Sequence, residues 1–298
     1  MERTMQSPEE LKSIVREKYS EIADQPREQN AGSCCGVGSC CQDETTVFSV
    51  DYGNLAGYAK DADLGLGCGI PTEFAKIRGG DTVVDLGSGA GNDVFVARSF
   101  TGDKGRVIGV DMTAAMITKA RANNSRLGYT NVEFRLGEIE NLPVGDNTAD
   151  VVLSNCVLNL VPDKKKAFAE VFRILKPGSH FSISDIVIRG TLPPEIRNAA
   201  ELYAGCVAGA IETEAYLALI RDAGFMDVEV VREREAPLPP AIIEKYLTPA
   251  QRAEYNNSGS SMVSVTVYGK KPESSGAIFE SSLSAPEKRC CPPGSGCC

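Results

Sequence analysis

Thiols, carboxylates and closely spaced glycines carry the chemistry open to this chain. It has 11 cysteines in 298 residues. Eight form adjacent pairs, Cys34-Cys35, Cys40-Cys41, Cys290-Cys291 and Cys297-Cys298, while Cys68, Cys156 and Cys206 stand alone. An odd count, in a chain whose start shows no hydrophobic signal core, does not read as a disulfide framework. It reads as soft-ligand or redox chemistry in a cytoplasmic setting. The glycines lie in residues 81–92, Asp-Thr-Val-Val-Asp-Leu-Gly-Ser-Gly-Ala-Gly-Asn. The short run Thr82–Leu86 has the length of a buried parallel strand. Gly87, Gly89 and Gly91 follow, and Val94–Ala97 suits the first turns of a helix. Glycine admits positive φ and lets a ligand approach without meeting a Cβ. Strand, glycine turn and helix together make a nucleotide-binding layout at the carboxyl edge of an α/β sheet.

The spacing narrows the ligand. G-x-G-x-G is not the G-x-G-x-x-G of a dinucleotide site, and no lysine stands where a triphosphate loop needs one. The next apolar segment ends in Asp111, about 20 residues past the glycines, where a carboxylate can accept from both ribose hydroxyls. A net charge of −9 argues against a backbone-gripping nucleic-acid protein. No apolar run approaches the roughly 20 residues of a membrane span. The single histidine, His180, lies in an expected buried strand and reads as a packed core residue rather than a base.

Several elements must position these residues. Ser7-Pro8-Glu9-Glu10 is a capping box that opens a helix over 8–23, with Leu11, Ile14, Val15, Tyr19 and Ile22 as its apolar stripe. Residues 24–46 read as a cysteine-rich loop. Asp51-Tyr52-Gly53 and Gly65–Pro71 are placed to wall or cover the ligand. Strands are expected at 82–86, 106–110, 132–136, 149–154 and 180–188. Helices are expected at 91–99, 114–127 and 163–175, the last closed by Lys176-Pro177-Gly178. That alternation implies βαβ units and a parallel sheet. Residues 190–211 read as an insertion over the sheet edge. A helix capped by Thr213 follows, and the β-rich segments 228–231 and 263–268 finish the sheet as an antiparallel pair around a proline-rich link, 236–249. The expected divisions are a helix and cysteine loop over 1–46, a cofactor core over 47–189, an insertion with the end of the sheet over 190–271, and a Ser-, Gly- and Pro-rich flexible tail over 272–298.

The acceptor decides the activity. At the end of the fourth strand the chain reads Ser154-Asn155-Cys156-Val157-Leu158-Asn159-Leu160, without the Asn/Asp-Pro-Pro-aromatic set that amino-methyltransferases of nucleic acids tend to carry. Ligands bind at that edge of an open α/β sheet. Cys156 is there, Cys206 is in the insertion covering it, and Cys68 is in the loop entering the first strand. Zinc favours four ligands, commonly with C-x-x-C spacing, which is absent. Trivalent arsenic takes three thiolates and keeps a lone pair that can attack a sulfonium methyl with no proton to remove.

Asp85-x-Gly87-x-Gly89 with Asp111 resembles the S-adenosylmethionine-dependent class I methyltransferases. Gly67-Cys68-Gly-Ile-Pro71, Gly137-Glu-Ile-Glu140, Asn155–Leu160 and Gly205-Cys206 extend the likeness to the arsenite S-adenosylmethionine methyltransferase family over about residues 45–270. The resemblance implies a Rossmann-like fold: a mostly parallel seven-stranded sheet with helices on both faces, plus an N-terminal helix and an inserted cap. It implies that Cys156 and Cys206 are core arsenic ligands, that Cys68 is a third which also joins a redox disulfide, and that Cys41 or Cys40 of the cluster Cys34, Cys35, Cys40 and Cys41 is the fourth cysteine. At the cofactor it implies Asp85, Gly87, Ser88 and Gly89 for the methionine part and Asp111 and Met112 for ribose and adenine. Ile139 and Glu140 flank the adenine, and Asn155 and Tyr52 line the cofactor. It further implies arsenite or its thiol conjugates as substrate and an external thiol reductant, glutathione or thioredoxin. A monomer, with no nucleic-acid or membrane partner, is expected. The paired cysteines at 290–291 and 297–298 are suited to capturing arsenite. The competing readings are a small-molecule C- or O-methyltransferase on the same fold and a thiol-rich metalloid-binding protein.

Overall fold

A computed structural model of the chain describes residues 7–25, 50–197, 209–238 and 240–273. Their seven strands are β1 (Thr82–Leu86), β2 (Arg106–Asp111), β3 (Val132–Leu136), β4 (Ala149–Asn155), β5 (Leu175–Arg189), β6 (Met226–Glu235) and β7 (Ser261–Lys270). They form one sheet in the order β3-β2-β1-β4-β5-β7-β6. The first five run parallel, and β7 lies antiparallel between β5 and β6. The sequence expectation of a mostly parallel, seven-stranded Rossmann-like sheet therefore holds.

The helices are α1 (Pro8–Asp24), α2 (Pro71–Phe74), α3 (Asn92–Thr101), α4 (Ala114–Leu127), α5 (Lys164–Ile174), α6 (Pro194–Arg197), α7 (Thr213–Asp222), α8 (Pro240–Tyr246) and α9 (Pro249–Asn257). Strand side chains alternate between faces. Val84, Leu86, Ile108 and Val152 pack with Phe168 and Val171 of α5 and Tyr216 and Ile220 of α7. Val83, Val107, Val151 and Leu153 pack with Val94, Phe95 and Ala97 of α3 and Ile117 and Ala120 of α4. The central strands are apolar on both faces, which explains why they read as continuous apolar runs. A third apolar cluster caps the carboxyl side of β5 with residues of α1, α6, α8 and α9, and it contains both Cys68 and Cys156. Among the described residues no helix is long and apolar enough to cross a membrane.

The structure departs from the sequence reading in three places. The helix expected over 163–175 ends at Ile174, and Lys176-Pro177-Gly178 lies inside β5. There the register with β4 shifts between Ala149 and Val151, and the irregular stretch accommodates a proline that cannot donate and a glycine at φ 78°. The stretch read as a proline-rich link holds α8 and the start of α9. Pro240 and Pro249 each occupy the first helical position, where the missing N–H costs nothing, and Thr248 and Gln251 form a capping box. Thr213 is the first residue of α7 rather than its cap, its hydroxyl donating to the Ile188 carbonyl at 3.2 Å.

On β2, a Cβ on Gly109 would stand 2.7 Å from both the Phe134 ring and Ser88 Oγ. Gly109→Ala is expected to destabilise the fold by about 1–3 kcal/mol, the usual cost of overpacking, read as a lowered urea midpoint with an unchanged m-value. Wild-type stability in the variant would refute this account of the β2–glycine-turn contact.

Candidate functional site

The glycine turn is fixed by the strand beside it. The amides of Gly87 and Ser88 donate to the Val110 carbonyl at 2.7 and 3.0 Å, and the Gly89 amide donates to Asp111 Oδ2 at 3.0 Å. Gly87, Gly89 and Gly91 all have positive φ, at 67°, 51° and 102°. Two of them fail sterically as any other residue. A Cβ on Gly87 would strike Val157 at 2.5 Å, and one on Gly91 would strike the Phe95 and Phe134 rings. A Cβ on Gly89 would meet nothing within 4 Å, so that position borders open space.

That space is an open pocket of about 1130 Å³, counting its mouth. Tyr52, Asp85, Gly87, Ser88, Gly89, Asp111, Met112, Ile139, Glu140, Asn155 and Cys156 all line it, so eleven of the residues singled out in the sequence share one cavity. Cys68 lies just behind the wall formed by Gly67 and Asn155. Cys206, Cys41 and the remaining paired cysteines lie outside the described residues, as do 26–49 and 274–298. Among the described residues no three His, Cys, Asp or Glu side chains converge as a metal site.

The pocket is rich in acid. Asp85 is buried, and no described residue gives its carboxylate a hydrogen bond. Burial first, then the neighbouring Asp93 and Asp111, push its pKa well above the ordinary aspartate value. Asp111 is also pushed up by burial, against the pull of hydrogen bonds from Thr113 and Gly89. Ser88 Oγ is buried without a partner among the described residues. Buried acids and an idle hydroxyl around a cavity suit a polar ligand that brings positive charge.

Asn155, at the end of β4, joins this acidic wall to the thiols. Its Nδ2 donates to Tyr52 Oη at 2.7 Å, to the Gly69 carbonyl at 2.9 Å and to Asp93 Oδ2 at 3.0 Å. Its Oδ1 accepts from the Cys68 amide at 3.1 Å and the Gly69 amide at 3.3 Å, and Cys68 Sγ lies 3.9 Å away. The Cys68 carbonyl accepts from Ser264 Oγ at 2.6 Å and Arg234 Nη2 at 3.2 Å. The glycines flanking Cys68 make this possible. A Cβ on Gly67 would sit 2.6 Å from Asn155 Nδ2, and one on Gly69 would sit 2.5 Å from Ser184 Oγ. Cys156 follows Asn155 in the left-handed region, φ 62°, with its amide donating to the Ser184 carbonyl at 2.7 Å. A non-glycine residue is held there only by strong surroundings.

Sequence reasoning missed two residues of this site. Asp93 accepts from Tyr52 Oη at 2.9 Å, and burial raises its pKa to about 6 against the hydrogen bonds from Asn155 and Tyr52. Its sequence signal was faint, a lone acid inside the apolar start of α3. Lys12 of α1 lines the pocket, and as a lysine outside the helix's apolar stripe it carried no sequence signal for this. His180 is far from this chemistry. Its Nε2 lies 2.6 Å from the Ala75 carbonyl, its ring packs on Tyr268, and burial lowers its pKa.

Beneath the thiols, Asp185 is fully buried and accepts from the Ile186 amide at 3.0 Å and Tyr216 Oη at 3.3 Å. Burial pushes its pKa up to about 7, opposed by Lys164 and these hydrogen bonds. The unfolded chain loses the same proton near about pH 4. Asp185 therefore costs nothing below that pH. As pH rises from there to about 7 it withdraws stability, by about 1.4 kcal/mol for each pH unit crossed. Asp185→Asn should flatten this decline, as read from urea unfolding at about pH 4 and about pH 8. An unchanged pH slope would show that Asp185 titrates normally in the folded state.

Comparison with known proteins places this geometry. Residues 77–224 match a family model described as a methyltransferase domain. The chain is 41% identical to an arsenite methyltransferase of Halobacterium salinarum over 278 residues, covering 89% of this chain and 68% of that protein. It is 32% identical to the human arsenite methyltransferase over 219 residues, covering 70% of this chain and 53% of the human protein. It thus spans about half of the human relative and just over two thirds of the halobacterial one. Among solved structures it is similar to an arsenic(III) S-adenosylmethionine methyltransferase from Chlamydomonas reinhardtii, with a TM-score of 0.58 at 34% identity, covering 69% of this chain and 68% of that one.

Proposed function

This chain belongs to the arsenite methyltransferases, and we propose that it transfers the methyl group of S-adenosylmethionine to trivalent arsenic held by its thiolates. The observation that carries the reading is a single pocket with two chemically distinct walls. One wall is the glycine turn with Asp85 and Asp111, and the other ends in Cys156 with Cys68 behind it.

The first wall fits the cofactor. Asp85, which accepts no hydrogen bond among the described residues, suits the methionine ammonium. Asp111, held by two backbone amides, suits the ribose hydroxyls. Gly89 leaves the opening that a Cβ would narrow. When bound, the cofactor supplies a methyl group on a positively charged sulfonium.

On the second wall, Cys156 and Cys68 are the thiols we assign to arsenic, with Cys206 as the third. Arsenite exchanges its three hydroxyls for three thiols and releases water. Its lone pair then forms the carbon–arsenic bond, so no base is needed to free the nucleophile, in keeping with the remoteness of His180. Methylation formally oxidises arsenic by two electrons. Two cysteine thiolates return them by closing a disulfide, with Cys68 and a cysteine of the 34–41 cluster in that role. An external thiol such as glutathione or thioredoxin then reopens the bond.

Reduced protein incubated with arsenite, S-adenosylmethionine and a thiol donor is expected to yield methylated arsenic. Cys156→Ser should lower kcat by at least about tenfold, because the lost contact is to the reacting atom, whereas Asp111→Ala should chiefly raise KM for the cofactor. An active Cys156→Ser variant would overturn the thiol assignment. Cofactor binding without methylated arsenic would redirect the search to a carbon or oxygen acceptor.

A further inference from the structure

Helix α1 precedes the glycine turn by some sixty residues, yet Lys12, Val15 and Tyr19 form part of the pocket wall. Their spacing puts all three on one helix face. Lys12 is only 7% exposed, although it is a lysine near the start of an amphipathic helix. Its Nζ lies 2.8 Å from Glu138 Oε2 and 2.8 Å from Glu140 Oε2, and Arg16 makes a further 2.5 Å contact with Glu138 Oε1. Burying an ammonium is expensive unless carboxylates compensate it. Here burial acts to lower the Lys12 pKa, and the two glutamates outweigh it, leaving the value above the ordinary lysine range.

The two glutamates bracket Ile139, which is buried in the same turn. That turn abuts the ribose acid, since the Gly137 amide donates to the Asp111 carbonyl at 3.0 Å. The far end of α1 is tied to α4, which begins just after Met112. Lys119 Nζ donates to the Ala23 carbonyl at 2.6 Å, and Ile22 and Ala23 pack with Met116. Both ends of α1 are therefore anchored around the half of the pocket that holds Asp111, Met112 and Ile139.

We propose that α1 is part of the cofactor site and that Lys12 is a positioning residue, which through Glu138 and Glu140 sets Ile139 against the nucleoside half of the cofactor. Val15 and Tyr19 close that half from water. The inference rests on the cofactor reading above.

The test measures Kd of the full chain for S-adenosylhomocysteine and for 5′-methylthioadenosine, which carries the nucleoside without the amino-acid part. Lys12→Met is expected to weaken both ligands by the same factor, about tenfold, and to raise KM for S-adenosylmethionine with kcat unchanged. Lys12→Arg should recover most of the affinity. Asp85→Asn should weaken S-adenosylhomocysteine alone, which separates the two halves of the pocket. Should Lys12→Met fail to fold, Tyr19→Ala carries the same expectation of equal weakening. Wild-type affinity in the folded variant, or a loss confined to S-adenosylhomocysteine, would overturn the proposal while the cofactor reading stood. A wild-type protein that bound neither ligand would overturn both.

Discussion

The amide of Asn155 is the interaction on which the site depends. One small side chain, at the end of a central strand, donates toward Tyr52, Asp93 and the Gly69 carbonyl, and accepts from the backbone on either side of the Cys68–Gly69 peptide. A carboxylate could accept those bonds but not donate them, and an aliphatic residue could do neither. Its neighbour in sequence is Cys156. Both described thiols are thus placed from one point, Cys156 through the chain and Cys68 through the side chain. Asp93 and Tyr52 hold that side chain from the cofactor wall, so the two halves of the pocket share their supports.

The acid content of the chain acquires a local meaning beside this amide. The net charge of −9 served first to exclude a nucleic-acid grip. In the fold, Asp85, Asp93 and Asp111 converge behind the glycine turn, each with its pKa raised by burial. Concentrated buried acid is unfavourable for the protein alone. It becomes favourable when a ligand supplies positive charge, and the sulfonium and ammonium of S-adenosylmethionine do so. The uncharged sulfur of the demethylated product gives back less, which favours exchange of product for fresh cofactor.

How far the sequence could be read follows from the range of the interactions involved. The strand and glycine turn were evident because the apolar run and the three alternate glycines lie within a dozen residues, even though part of what demands glycine there, Val157 and Phe134, arrives from far along the chain. The solitary cysteines could be singled out because they lie at strand ends and beside glycines. Asp93 was not evident, since an acid in the first turn of a helix is ordinarily a solvated partner of the helix dipole. Only Tyr52 and Asn155, arriving from 41 and 62 residues away, turn it into a buried support. Lys12 was hidden for the same reason, its partner Glu138 being 126 residues distant. The prolines near α8 and α9 misled because a residue that breaks a helix from within also begins one well.

The thiol wall shows why the site was built into the fold's apolar interior rather than on an exposed loop. Cys68 and Cys156 sit in one buried cluster with Leu160, Ile186 and Met262, away from bulk water. The three-thiolate centre proposed above would lose little by leaving water, because its bonds are covalent and its charge is spread over sulfur. Cysteine side chains that carry no metalloid pack in such a place as small hydrophobes. The proposed thiol wall would therefore tolerate both an empty and a loaded state, whereas on the acidic wall Asp85 has no hydrogen-bond partner among the described residues to offset its burial. On the proposed reading the buried thiols suit a soft centre and the buried carboxylate of Asp85 suits a cation, and Asn155, bonded to the Cys68 amide on one side and to Asp93 on the other, joins the two walls.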